Sequence, residues 1–449
     1  MAHALSSRTL EWLGDILPPS LLSGLPRSAS TIRLVATPSA QMCLSCRASK
    51  MLCGRPRCPI LIEANELAKR AHSFNTVGNR FSGASPPGVF VGRVGYPKVY
   101  VGPLVSPDPD PSVFDLPESW VNMSVDTIVG FRFELLRGTE ALSVFEAAEP
   151  SEKLTRLHEL VLSAKPVDAE LELRSPPRAV LMLSDDVEPM GPTAPYQSMR
   201  VGASSADRRI ERVYYDTDLK ATQAVVDLYM RGVEVSRIQK SFSVGMMGER
   251  RKRRLVPTRW GITAVDTILS ERLIRQVVDL PVVGETHVYV LENLGSTYIG
   301  FIFPGEWSYE WVEAWQPRTV WNPGGLGAEL TGDMEDWRGR TTYAEPGGCY
   351  YAARLAAAEG LLRLRRKGRV VLLREIHSGY MMPLGVWSVR EAVRSLFKQK
   401  PQKFSSVSEA VGFGVSKSAV PLSVWLTKAR LLDEVIHQRK INDFLGESR

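Results

Sequence analysis

The chain of 449 residues lacks any run approaching the roughly 20 uninterrupted apolar residues that a membrane-crossing helix needs. Its first twenty residues carry Glu11 and Asp15 where a secretion signal would be apolar, so they read as a short amphipathic segment ended by Pro18 and Pro19. A cytoplasmic location is the expectation that follows. The sequence also lacks a G-x-x-x-x-G-K-[ST] phosphate loop, a dinucleotide fingerprint, a G-x-S-x-G elbow and an H-E-x-x-H zinc pair, which argues against an ATP-driven motor. Residues 61–400 show no internal repeat or low-complexity tract. Neither sign of charge dominates: 56 Lys+Arg against 49 Asp+Glu leave +7, which permits a polyanionic partner without demanding one. Hydrophobic residues at 44% and charged ones at 23% are ordinary globular usage, so the chain folds and is large enough for a sizeable core.

Cysteine is scarce, and its placement is informative. Four of the five fall at Cys43, Cys46, Cys53 and Cys58, a C-x2-C-x6-C-x4-C pattern within sixteen residues. In a reducing compartment such clusters bind metal more often than they form disulfides. Four thiolates satisfy tetrahedral Zn2+ with no open position, so the expected metal is structural, replacing a core the knuckle is too small to build. An iron–sulfur cluster would use the same four ligands. Arg47, Lys50, Arg55 and Arg57 sit between them, a basic density suited to phosphate contacts or, more plainly, to solvated surface on a staple.

The extreme carboxyl terminus carries Gln438, Ile441, Phe444 and Leu445 in a Q-x-x-I-x-x-F-L spacing. One 3₁₀ turn collects the three apolar side chains on one face, making a plug for a pocket, with Gln438 able to satisfy backbone groups at its rim. The pattern resembles the peptide with which replication and repair proteins bind the sliding clamp PCNA. Leu445 departs from it, standing where a second aromatic is common, which lowers the area the plug buries. The competing reading is a tail folded back on its own protein.

Between these ends the expected elements are helices over 61–72, 151–164, 260–278 and 350–366. Bent strands are expected over 89–101, a hairpin over 286–303 turning at Asn293–Gly295, a strand over 370–376, and a helix from Pro421 feeding the tail. Residues 304–316 read as a helix, with Trp307, Trp311 and Trp315 in one stripe and Glu306, Glu310 and Glu313 in another; the spacing suits a core stripe beside a solvated acidic face better than a Mg2+ site. The order gives an α+β (mixed α/β) fold. It divides into an N-terminal extension (1–40), a four-cysteine knuckle (41–60), one large irregular core (61–400), a C-terminal helical segment (401–437) and a tail (438–449). Two basic runs stand out, one over 363–369 and one of Arg250, Arg251, Lys252, Arg253 and Arg254 followed by Arg259 and Trp260; the arginines and lysine suit a phosphate backbone, and Trp260 suits an unpaired base.

The whole layout resembles the archaeal NreA family of DNA repair proteins, nearly end to end. Its carriers are the four-cysteine knuckle, Ser85-Pro86-Pro87-Gly88-Val89-Phe90-Val91-Gly92-Arg93 with Gly95-Tyr96-Pro97, Leu255-Val256-Pro257-Thr258-Arg259-Trp260, Gly347-Gly348-Cys349-Tyr350-Tyr351, and the terminal peptide. The resemblance implies a part in DNA damage repair, a four-cysteine zinc site, and binding to PCNA; through the clamp the expected place of work is the nucleoid, with other repair proteins as further partners. It supplies no catalytic residue, and enzyme status stays open. The leading expectation is a repair factor delivered by the clamp that contacts DNA with knuckle and basic runs. A metal-dependent nuclease drawing Mg2+ ligands from Asp185, Asp186, Asp216, Asp218 or the Glu306 segment is the alternative, and a zinc-containing RNA-binding protein the second.

Overall fold

The computed structural model describes residues 45–70, 74, 79–177, 188–319 and 321–437. The fold is α+β, as the mixed order of elements requires, and is built on two six-stranded mixed sheets. Contacts divide the chain into two units, Met1–Leu269 with Met381–Trp387, and Ser270–Tyr380 with Ser388–Arg449. The stretch 61–400, read from sequence as one core, therefore holds two sheets, one in each unit. No helix among the described residues is long and apolar enough to cross a membrane.

In the first unit, helix α1 (Pro59–Arg70) precedes strands β1 (Arg80–Ser85), β2 (Val89–Val91) and β3 (Lys98–Val105). Then come α2 (Val125–Phe133), β4 (Leu136–Ser143), α3 (Glu152–Leu162), β5 (Val167–Leu173), β6 (Thr193–Val201) and three helices, α4 (Arg208–Tyr215), α5 (Ala221–Met230) and α6 (Val235–Ser243). The sheet order is β1-β5-β6-β4-β3-β2, antiparallel except for β4 beside β6. Strand β3 alternates: Val99 and Val101 are buried while Lys98 and Tyr100 face water, the period-2 signature of a strand with one wet face. At Gly102 a side chain would collide with the Gly138 carbonyl of β4, so only glycine lets the two strands close there. Helix α3 starts where its sequence signals, with the Ser151 hydroxyl accepting from Leu154 N. Helix α7 (Thr258–Val277) begins in this unit.

The second unit contains β7 (Thr286–Asn293), β8 (Ser296–Phe303), β9 (Ser308–Trp315), β10 (Glu329–Glu335), α8 (Gly348–Leu364), β11 (Arg369–Ile376), α9 (Trp387–Leu396), β12 (Gln402–Phe404), α10 (Val407–Val415), α11 (Leu422–Trp425) and α12 (Arg430–His437). The hairpin β7–β8 turns on Leu294 and Gly295, both at positive φ, as a two-residue hairpin turn demands. The sheet runs β10-β9-β11-β8-β7-β12, with β11 parallel to β9 and its other pairings antiparallel. Its central strands are buried on both faces, which is why β8 and β11 read as continuous apolar runs. Tyr309, Trp311, Ile302, Val370 and Leu372 pack on one side with the small-residue face of α8 (Ala353, Ala356, Ala357), and Ile299, Phe301, Val312, Val371 and Leu373 on the other with Trp425, Leu432 and Val435.

The helix expected over 304–316 is instead β9. A central strand buried on both faces needs apolar bulk at every position, and Trp at four-residue spacing supplies that as readily as it supplies a helix stripe. The acidic row disappears with the helix. Glu310 faces one side, where it accepts from Leu431 and Leu432 N (2.9 and 3.1 Å), Glu313 pairs with Arg374 on the other (3.0 Å), and Glu306 pairs with Lys367 (2.8 Å). The helix expected from Pro421 is likewise two pieces, α11 and α12.

Candidate nucleic-acid interface

Three segments of the first unit, distant in sequence, are joined by hydrogen bonds. Val144 N donates to Pro97 O (2.9 Å), Leu255 N donates to Val144 O (2.9 Å), and Val91 N donates to Thr258 Oγ1 (3.0 Å). The Gly95-Tyr96-Pro97 and Leu255–Trp260 motifs, far apart in the chain, thereby become one surface. Tyr96 and Trp260 meet with ring centroids 5.4 Å apart at an interplanar angle of 55°. The turn below Tyr96 is closed by Lys98 N donating to Gly95 O, and Gly95 holds φ +87 with no room for a side chain against that residue.

Phe145 follows the Val144 that bonds to Pro97 and Leu255, on a short 3₁₀ turn, Val144–Ala148, fixed by a reciprocal cap: Phe145 N donates to the Ser143 hydroxyl while Ser143 N donates to the Glu146 carboxylate, which also takes the Ser151 hydroxyl. The Arg254 guanidinium covers one face of the Phe145 ring at 4.9 Å. The same and adjoining segments carry Arg93, Lys98, Arg250, Arg251 and Arg259, all exposed, with Arg254 half-buried. None of the six makes an ion pair with a carboxylate among the described residues. A cluster of cations without counter-charge repels itself, so the arrangement favours an anionic partner.

The basic run does not act as a unit. Arg253 turns inward, buried, donating to the carbonyls of Gly248, Tyr214 and Asp216 (2.8, 2.9 and 3.0 Å), and Lys252 pairs with Glu249 (2.7 Å). Arg253, read from sequence as a phosphate contact, is a structural staple: three carbonyls take the fork that a phosphate would need. The knuckle cations divide in the same way. Arg57 forms a bidentate pair with Asp126 of α2 (2.7 and 2.5 Å) and Arg55 donates to Met381 O (2.8 Å), leaving Arg47 and Lys50 exposed.

Cys43 lies outside the described residues. Cys46 is buried and Cys53 and Cys58 are half-buried, none in a disulfide. Leu52 N donates to Cys46 Sγ (3.4 Å), and Cys58, just before α1, takes hydrogen bonds from Ile60 and Leu61 N, the donors a thiolate prefers. Burial nonetheless pushes the Cys58 thiol up, with Cys53 and Cys46 near enough to add to that shift. Among the described residues no three Cys, His, Asp or Glu side chains converge tightly enough to hold a metal ion. The clamp peptide Gln438–Leu445 and the acids Asp185 and Asp186 also lie outside the described residues. Asp216 is spent on a turn, accepting from Asp218 and Leu219 N.

Models of two adjoining families cover most of the chain: archaeal Nre, N-terminal, over residues 52–322, and archaeal Nre, C-terminal, over residues 335–444. The chain belongs to the archaeal Nre family. Among Nre proteins it is 38% identical over 405 residues to the DNA repair protein NreB of Archaeoglobus fulgidus, covering 90% of this chain and all of that one. It is 38% identical to the DNA repair protein NreA of the same organism (82% and 92% covered) and 34% identical to the DNA repair protein NreA of Haloferax volcanii (74% and 82%). No solved structure matches it. Sequence reading singles out Trp260 and its neighbouring arginines but misses Tyr96 and Phe145, because only tertiary hydrogen bonding brings a turn, a capped 3₁₀ segment and a helix start together.

Proposed function

We propose that this Nre protein is a DNA repair factor that holds DNA on the Tyr96–Phe145–Trp260 surface and is delivered to it by a sliding clamp. The observation that carries the reading is the group of six cations without carboxylate partners on the joined segments that carry the exposed aromatics. The names of the curated relatives, DNA repair proteins all, support its biological setting. Delivery rests on the terminal Q-x-x-I-x-x-F-L peptide, since a tether to a clamp already on DNA converts weak contact into an intramolecular event. Zn2+ in the cysteine knuckle completes the reading: Cys43, Cys46, Cys53 and Cys58 would hold it, and the metal would supply folding energy rather than chemistry.

Charge reversal at Lys98, Arg254 and Arg259 is expected to weaken DNA binding and flatten its dependence on salt by about 0.9 for each phosphate that is no longer neutralised. An unchanged slope sinks the assignment of this surface. Changing Phe444 to Ala is expected to abolish binding to the organism's own clamp in calorimetry without moving Tm; retained affinity would show that the tail is not the anchor.

A further inference from the structure

Cations alone explain attraction to any nucleic acid; they do not explain why aromatic rings stand in water among them. Tyr96, Trp260 and Phe145 are 54%, 47% and 56% exposed. Side chains of this size gain from burial, so a cluster left open on a fixed scaffold marks a binding surface. The Tyr96 and Trp260 rings meet at a tilt rather than in a parallel stack. Phe145 has one face under the Arg254 guanidinium and its other face clear of that group. The segments carrying them are hydrogen-bonded neighbours, so the three rings are held on adjoining segments of one scaffold. In a duplex the base faces are stacked on one another and offer nothing to such rings; an unpaired strand offers one π-face per base.

We propose that this surface takes single-stranded DNA, its bases stacked on Tyr96, Trp260 and Phe145 and its phosphates on the surrounding cations. The inference rests on the DNA-binding reading above and adds the state of the strand. Stacking of this kind is tolerant of sequence, so the site recognises unpaired structure and not a motif.

The test is fluorescence anisotropy of the full chain with a labelled deoxy 20-mer, its duplex and the matching ribo 20-mer at one salt concentration. The intact protein is expected to bind the single strand at least tenfold more tightly than the duplex. The double substitution Y96A/W260A is expected to remove that preference, costing tenfold or more on the single strand and less than threefold on the duplex, with the salt slope unchanged. The aromatic-preserving pair Y96F/W260F is expected to retain most of the affinity, separating stacking from misfolding. Equal losses on both DNA forms, or none, overturn the strand preference, as does tighter binding of the ribo-oligomer. The charge variant K98E/R254E distinguishes the two levels. If it loses both DNA forms while Y96A/W260A loses neither, only the stacking inference fails; if it retains both, the DNA-binding reading fails with it.

Discussion

Glu310 sits on β9 with both carboxylate oxygens accepting from the first turn of α12, at Leu431 and Leu432 N. Burial outweighs those donors and raises its pKa to about 7. Because the folded chain then holds a proton that the unfolded chain releases near 4.5, the contribution is fully present below about pH 4.5 and lost as pH rises through about 7. The stability of the intact protein, followed by denaturant unfolding across this window, is expected to carry a falling component of up to about 3 kcal/mol that Glu310→Gln removes. An unchanged profile in the variant would mean that the carboxylate is ionised throughout. Neither this carboxylate's role nor the inward turn of Arg253 is legible in the sequence. A glutamate among tryptophans and an arginine among arginines look solvated until a distant segment supplies their partners. Trp260 is legible because its neighbours in sequence are also its neighbours on the surface.

At the scale of elements, the clearest sequence signals are those with local physics behind them: the Ser151 cap of α3, the Leu294–Gly295 turn, the apolar runs of β8 and β11. Those that fail are decided from afar. β9 is a strand because β10 and β11 flank it, and α12 begins where it does because Glu310 offers its first amides a partner. The knuckle belongs between these cases, since its ligands are local but Cys43 lies outside the described residues. Stripping metal with a strong chelator is expected to release about one Zn2+ per chain and to lower the Tm of the first unit, an effect that Cys46→Ser with Cys53→Ser should reproduce without chelator. Zinc retained at one per chain in that variant would place the metal elsewhere.

At the scale of the molecule, the partition into two units does not follow the order of the chain. The residues Met381–Trp387 return to the first unit, where Trp387 meets Trp120 edge-to-face at 4.9 Å, Arg55 donates to Met381 O and Arg132 donates to Leu384 O (3.0 Å). A fragment ending at Leu269 is therefore expected to lack cooperative unfolding by calorimetry, and adding a peptide covering 381–387 should restore part of its stability. A sharp transition in the fragment alone would show that the return segment is dispensable. Sequence could not reveal this arrangement, for nothing in those seven residues marks them as belonging with Arg55, Trp120 and Arg132, more than two hundred and fifty residues earlier.

That return segment has a bearing on how the protein is born. A ribosome presents the chain from its amino end, and a domain whose parts are contiguous can close as soon as it emerges. Here the first unit is expected to wait, its Trp120 without the Trp387 ring, while more than a hundred further residues are made, on the order of ten seconds at ordinary rates of synthesis. During that wait its apolar surface is available to whatever nascent-chain chaperone the cell provides, and emergence of Met381–Trp387, not completion of the first unit's own sheet, sets the moment at which that unit can close.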